Sequence, residues 1–108
     1  MVTSTAKPKM PKNSMRPIHP GEVLREEYLV PLGLSPHALA QALRVPATRT
    51  NDVVNERRAV TADTALRLAR YFGTTAEFWV NLQGAFDLRS AAAESSASIE
   101  REVLPRAA

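Results

Sequence analysis

Residues 48–52 place four kinds of hydrogen-bonding group close together: the hydroxyl of Thr48, the guanidinium of Arg49, the carboxamide of Asn51 and the carboxylate of Asp52. On a helix over residues 47–55 these side chains point outward. Thr50, Val53 and Val54 take the opposite face at i, i+3, i+4. The outward set suits the edges of base pairs. Arg49 can fork onto guanine O6 and N7, Asn51 can pair with adenine N6 and N7, and Thr48 can bond to a base or pack on a thymine methyl. Asp52 repels phosphate, which leaves it to accept from cytosine N4 or to orient Arg49. Asn55, Arg57 and Arg58 follow and can grip the phosphate backbone, which sets affinity rather than sequence preference. Upstream, Ser35 heads another short helix whose free N–H groups offer a place for an anion. His37 on that helix either touches phosphate or is simply exposed. The plainer alternative is a solvated helix face that ends in a charged loop.

The elements around this set favour the first reading. Ser35-Pro36 is a helix start, with Ser as N-cap and Pro in the first turn. Leu39 and Leu43 lie one turn apart, and Ala38, Ala40 and Ala42 permit close helix contact. Arg44-Val45-Pro46 makes a short break before the next helix. Helix, short break, helix with an outward polar set is the pattern of a helix-turn-helix, in which the second helix enters the major groove of DNA. The other elements frame it. His19-Pro20-Gly21-Glu22 starts a first helix, with His19 in a structural role, and Pro31 and Gly33 are expected to stop it. Thr61 caps a helix with Ala65, Leu68, Ala69 and Phe72 on one stripe, and Gly73 ends it. Thr75 caps a further helix carrying Phe78, Trp79, Leu82 and Phe86, with Trp79 in the core. Ile99 and Val103 can anchor a weak last helix before Pro105. No strand pattern or internal repeat is visible. The expected fold is all-α: a compact five-helix bundle containing a helix-turn-helix, with a sixth C-terminal helix allowed.

Composition narrows the function classes. The net charge of +3 comes from Lys7, Lys9 and Lys12, whereas Met15 to Ala108 holds eleven Arg against eleven Asp and Glu. Positive charge is concentrated locally, with four Arg against Asp52 and Glu56 between Arg44 and Arg58. There is no cysteine, and the two histidines have no metal-ligand spacing or triad partners. No Gly-rich phosphate loop occurs. An enzyme is therefore not expected, and no cofactor or metal is implied. No apolar run approaches the roughly 20 residues that span a bilayer, so no membrane partner is expected. The start of the chain lacks an apolar secretion segment, which together with the missing cysteines suggests a cytoplasmic protein. Three regions are expected: a disordered basic tail over 1–14, a helix-turn-helix DNA-binding domain over 15–90, and a helical or disordered extension over 91–108.

From Met15 to about Leu88 the chain resembles the HigA-type antitoxins of the Xre-like helix-turn-helix family. The matching words are Met15-Arg16-Pro17-Ile18-His19-Pro20-Gly21-Glu22, Leu39-Ala40, Arg44-Val45-Pro46 with Arg49, and Asn55 with Arg57-Arg58. Thr61-Ala62-Asp63-Thr64-Ala65-Leu66-Arg67-Leu68-Ala69, Phe72-Gly73-Thr74 and Glu77-Phe78-Trp79-Val80-Asn81-Leu82-Gln83 complete them. The resemblance implies a homodimer on a palindromic operator, repression of its own operon, and neutralisation of a partner toxin that is an mRNA nuclease. Leu82, Phe86, Ile99 and Val103 are the candidates for the dimer contact. The sequence departs from the family pattern twice. Thr50 stands where a larger apolar residue such as Ile is usual, on the face that seats the recognition helix. Glu56 stands where Gly is usual, which predicts a left-handed backbone at that position. Its charge, beside Arg57 and Arg58, is expected to dilute their attraction for phosphate.

Overall fold

The computed structural model describes residues 16–107, and the basic tail expected over 1–14 lies outside them. The described residues form five helices and no strand. Helix α1 covers residues 20–32, and α2 is Pro36–Leu43. Helices α3, α4 and α5 are Ala47–Val54, Ala62–Phe72 and Ala76–Glu102. Their starts follow the side chains read from the sequence. His19 Nδ1 accepts from the Gly21 N–H, Ser35 Oγ from Ala38, Thr61 Oγ1 from Thr64 and Thr75 Oγ1 from Phe78. Each of these satisfies an N–H that the first helical turn leaves unpaired.

Two expectations change. Pro31 does not end α1. The stretch Leu24–Leu29 is π-helical, and the Val30 N–H reaches back to the Arg25 carbonyl. This wider turn lies just ahead of the proline, which lacks an N–H and would crowd a regular α-turn. The helix continues to Leu32 and stops at Gly33, whose φ of 63° is left-handed. The last helix expected around Ile99 and Val103 is present, but among the described residues it is the end of α5 rather than a separate element. α5 runs unbroken for 27 residues, because the Ala- and Ser-rich stretch after Asp87 contains no Gly or Pro to break it. Ile99 lies in its last turn and Val103 is its C-cap.

Trp79, Leu24, Leu39, Leu68 and Val53 are fully buried at the centre of the core. Tyr28 lies against both Phe72 and Trp79, so α1, α4 and α5 share one aromatic cluster. The Trp79 indole N–H donates to Thr74 Oγ1 at 2.8 Å, which satisfies the one polar atom of that side chain.

Candidate nucleic-acid interface

Helix α2 ends on a left-handed residue, Arg44, with φ 62°. Arg44 N–H bonds to Gln41 and Val45 N–H to Ala40, the paired contacts of a Schellman turn. Val45 folds back onto the core. Pro46 then precedes α3, so only three residues separate the two helices. This tight turn sets α3 across α2 with Val53, Val54 and Thr50 buried.

Thr50 seats the helix by a route that its polarity had hidden. Its hydroxyl lies 2.8 Å from the Pro36 carbonyl, an acceptor in the first turn of α2. A hydrogen bond between the two helices therefore replaces the apolar contact of a larger side chain. Helix α1 holds the other end. Arg25 Nη1 lies 2.5 Å from the carbonyl of Val54, the last residue of α3. A cation at a helix C-terminus satisfies an orphan carbonyl and complements the dipole. The backbone of Gly21 passes so near that a Cβ there would fall 1.8 Å from the Val53 carbonyl oxygen. Of these supports, only the His-Pro-Gly-Glu word marked its own region in the sequence. Arg25 carried no signal beyond being the lone cation among three Glu.

Beyond α3 the chain turns at Glu56, whose φ is 63°. The left-handed backbone expected there is present. Glu56 N–H bonds to Val53 and Arg57 N–H to Asp52, a second Schellman turn at the place where glycine is favoured. The Glu56 carboxylate does not turn toward Arg57 or Arg58. It meets Arg25 at 3.2 Å, which neutralises its charge at the helix end. The Val60 N–H, farther along the loop, donates to the buried side chain of Gln83 on α5.

The outward residues of α3 fall into two groups. Thr48 and Asn51 are exposed, and with Ala47, Pro36 and His37 they line a shallow concavity between the starts of α2 and α3. Asn55 donates to the Asn51 carbonyl at 2.9 Å, and its carboxamide also approaches that of Asn51. Ser35 and His37 are exposed at the start of α2. Arg49 is half-buried, and its Nη1 lies 2.7 Å from Asp63 Oδ2 on α4. Asp52 therefore does not orient Arg49. It pairs with Arg57 at 3.2 Å and Arg58 at 3.4 Å, because the turn at Glu56 folds those two back over the last turn of α3. Asp63 also meets Arg67 Nε at 2.9 Å, and the two guanidiniums, Arg67 first, hold its carboxyl below the usual carboxylate range. Arg67 in turn donates to the carbonyl of Leu43 at the end of α2. Nothing in the α4 stripe had indicated this chain of contacts, which joins residues 14 and 24 positions apart in sequence.

The dimer candidates are distributed differently. Leu82 packs against the core, and Phe86 meets the His19 ring edge-on at 4.8 Å. Both serve the protomer. Ile99 and Val103 are exposed, as is Leu88 on the same helix.

Two short helices crossing through a tight turn, with the second presenting Thr48, Arg49 and Asn51, define a helix-turn-helix protein. Residues 24–79 match the helix-turn-helix family HTH_3, and the chain belongs to that Xre-like family, which is not one of enzymes. Virulence-associated protein I of Dichelobacter nodosus is 62% identical over 80 residues, covering 74% of each chain. The structure of the Pseudomonas aeruginosa antitoxin HigA with the higBA promoter is similar at TM-score 0.83 and 51% identity, covering 85% of this chain and all of that one. An addiction module antidote protein of the HigA family from Coxiella burnetii gives TM-score 0.80 at 50% identity, over 84% of this chain and 99% of its own. The resemblance to HigA-type antitoxins is thus carried by the fold as well as by the sequence words.

Proposed function

We propose that this chain is the antitoxin of a toxin–antitoxin pair, binding operator DNA as a homodimer, repressing its own operon and neutralising an mRNA-nuclease toxin. The observation that carries the reading is α3 itself. Its buried face is fully used within the fold, and its outward face holds Arg49, Asn51 and Thr48 beside a concave patch at the start of α2. The similar antitoxin HigA from Pseudomonas aeruginosa was solved with the higBA promoter, which supports promoter DNA as a partner of this fold. Thr48, Arg49, Asn51 and Asp52 are assigned to base reading. Ser35, His37, Asn55, Arg57 and Arg58 are assigned to phosphate.

A gel-shift with DNA from the gene's own promoter tests the reading. A specific, dimer-sized complex is expected. Arg49→Ala is expected to weaken it by about 1–3 kcal/mol and to relax base preference at one position per half-site. Equal affinity for promoter and unrelated DNA would leave a toxin-binding module without operator recognition. Co-purification with the product of a neighbouring gene, and loss of that product's RNA cleavage on mixing, tests the toxin assignment.

A further inference from the structure

We propose that Asp63 is a positioning residue for base recognition: held by Arg67 against the end of α2, it sets the Arg49 guanidinium for reading a base although it lies on α4, outside the helix-turn-helix. This rests on the reading of α3 as the recognition helix. The contacts form one chain across three elements. The Leu43 carbonyl closes α2 and accepts from Arg67 Nη1 at 2.8 Å. Arg67 Nε donates to Asp63 Oδ2 at 2.9 Å, and the same oxygen accepts from Arg49 Nη1 at 2.7 Å. The backbone that carries Asp63 is well fixed. Thr61 caps the α4 turn that carries Asp63, and the next turn is pinned by the buried Ala65 and Leu68.

The arrangement suits a guanidinium that must arrive already oriented. An arginine side chain has much rotamer freedom to lose on binding, and a preset geometry lowers that loss. The contact with Asp63 uses Nη1. Among the described residues no other partner of Arg49 is seen, so Nε and Nη2 remain as a two-donor edge that matches guanine O6 and N7. Asp63 does not depend on Arg49 for its charge balance, because Arg67 stays on it when Arg49 engages DNA.

The test measures binding to the operator and to operators changed at each base pair of a half-site, with unrelated duplex as reference. Arg49→Ala first identifies the position that Arg49 reads. Asp63→Asn keeps the size of the side chain and removes its charge. It is expected to lower discrimination at that same position by about tenfold, within the range of one bidentate base contact. Binding to unrelated DNA should be unchanged or tighter, because an acid near phosphate is gone. Asp63→Asn should add nothing in the Arg49→Ala background. Arg67→Gln, which leaves Asp63 charged but less firmly held, should give a smaller loss at the same position. Discrimination that is unchanged or sharper in Asp63→Asn, or weakened equally at every position, would overturn the proposal. Wild-type protein without operator preference would remove the underlying reading and this proposal together. An Arg49-dependent preference insensitive to Asp63 would remove this proposal alone.

Discussion

Asp52 stands between two roles that the sequence could not separate. Its spacing allowed it to orient Arg49 or to meet cytosine, but its partners are Arg57 and Arg58, both on the exposed surface. Exposed pairs of this kind contribute about 0–1 kcal/mol, so phosphate can displace Asp52 at little cost. Arg57→Ala or Arg58→Ala is therefore expected to weaken all DNA sequences alike and to lower the salt slope by about one unit, read from affinities at several salt concentrations. A loss confined to the operator would place these arginines among the base readers. Glu56 shows what residue-level reasoning reaches and where it stops. The family's usual glycine pointed to a left-handed backbone, and φ is 63°. The partner, Arg25, is 31 residues away and left no trace in local spacing. Its contact changes the expected energetics. Glu56→Gly relieves about 1 kcal/mol of backbone strain but loses an exposed pair of about 0.2–1 kcal/mol, for a net gain near 0.5 kcal/mol. Glu56→Ala keeps the strained Cβ and loses the pair, so it should cost about 0.5 kcal/mol. Chemical denaturation of both variants checks the signs, and an alanine variant more stable than wild type would show that the contact contributes nothing.

At the scale of elements, caps and stripes were legible because they depend on neighbours in sequence. Ser35, Thr61 and Thr75 cap as read, and Ala65 and Leu68 are buried as read. Pro31 misled because a wider, π-helical turn just ahead of it lets the helix continue to Leu32, and no local spacing announces such a turn. The position of α1 on α3 was not legible, because His19-Pro20-Gly21-Glu22 read only as a helix start, without its reason. That reason is a backbone contact too close for any side chain at Gly21. Gly21→Ala must push α1 off the end of α3. A loss of about 3 kcal/mol is expected in thermal or chemical unfolding, at the upper end for overpacking, with DNA affinity falling as α3 loses its seat. A stability within 0.5 kcal/mol of wild type would show that the two helices separate freely. His19 adds a pH dependence to the same junction. Burial, above all, lowers its pKa from 6.5, with Arg25 lowering and Glu56 and Asp87 raising it. Its Nδ1 must also stay unprotonated to accept from Gly21. A depressed folded pKa means the unfolded chain binds protons first, so stability is full above about pH 6.5 and falls as pH drops through the lower folded value. Denaturation midpoints from pH 8 to 5 should show this loss in wild type and not in His19→Asn, which keeps a neutral cap.

At the scale of the whole molecule, the last helix is longer than the protomer needs. α5 has 27 residues and is about 40 Å long at 1.5 Å per residue, yet its buried residues, Trp79 and Gln83, lie in its first third. Leu82 and Phe86 are occupied within the protomer, which moves the expected dimer contact toward the C-terminal end. There Leu88, Ala92, Ser95, Ile99 and Val103 recur at spacings of three or four residues along one side. Leu88, Ile99 and Val103 remain 72%, 51% and 64% exposed, while the small residues between them allow a second helix to approach closely. A pair of α5 helices packed on this stripe would bury it and give the complex two recognition helices. One α3 alone covers too little DNA for tight binding, whereas two spaced about 34–36 Å apart meet successive major grooves of a palindrome. Sedimentation is therefore expected to show a dimer at micromolar concentration. Leu88→Asp with Ile99→Asp should give a folded monomer, because both residues lie outside the core, and its operator affinity should fall by at least tenfold through loss of the second half-site. A wild-type chain that sediments as a monomer, and stays a monomer on operator DNA, would rule out this assembly and leave the length of α5 to be explained by another partner.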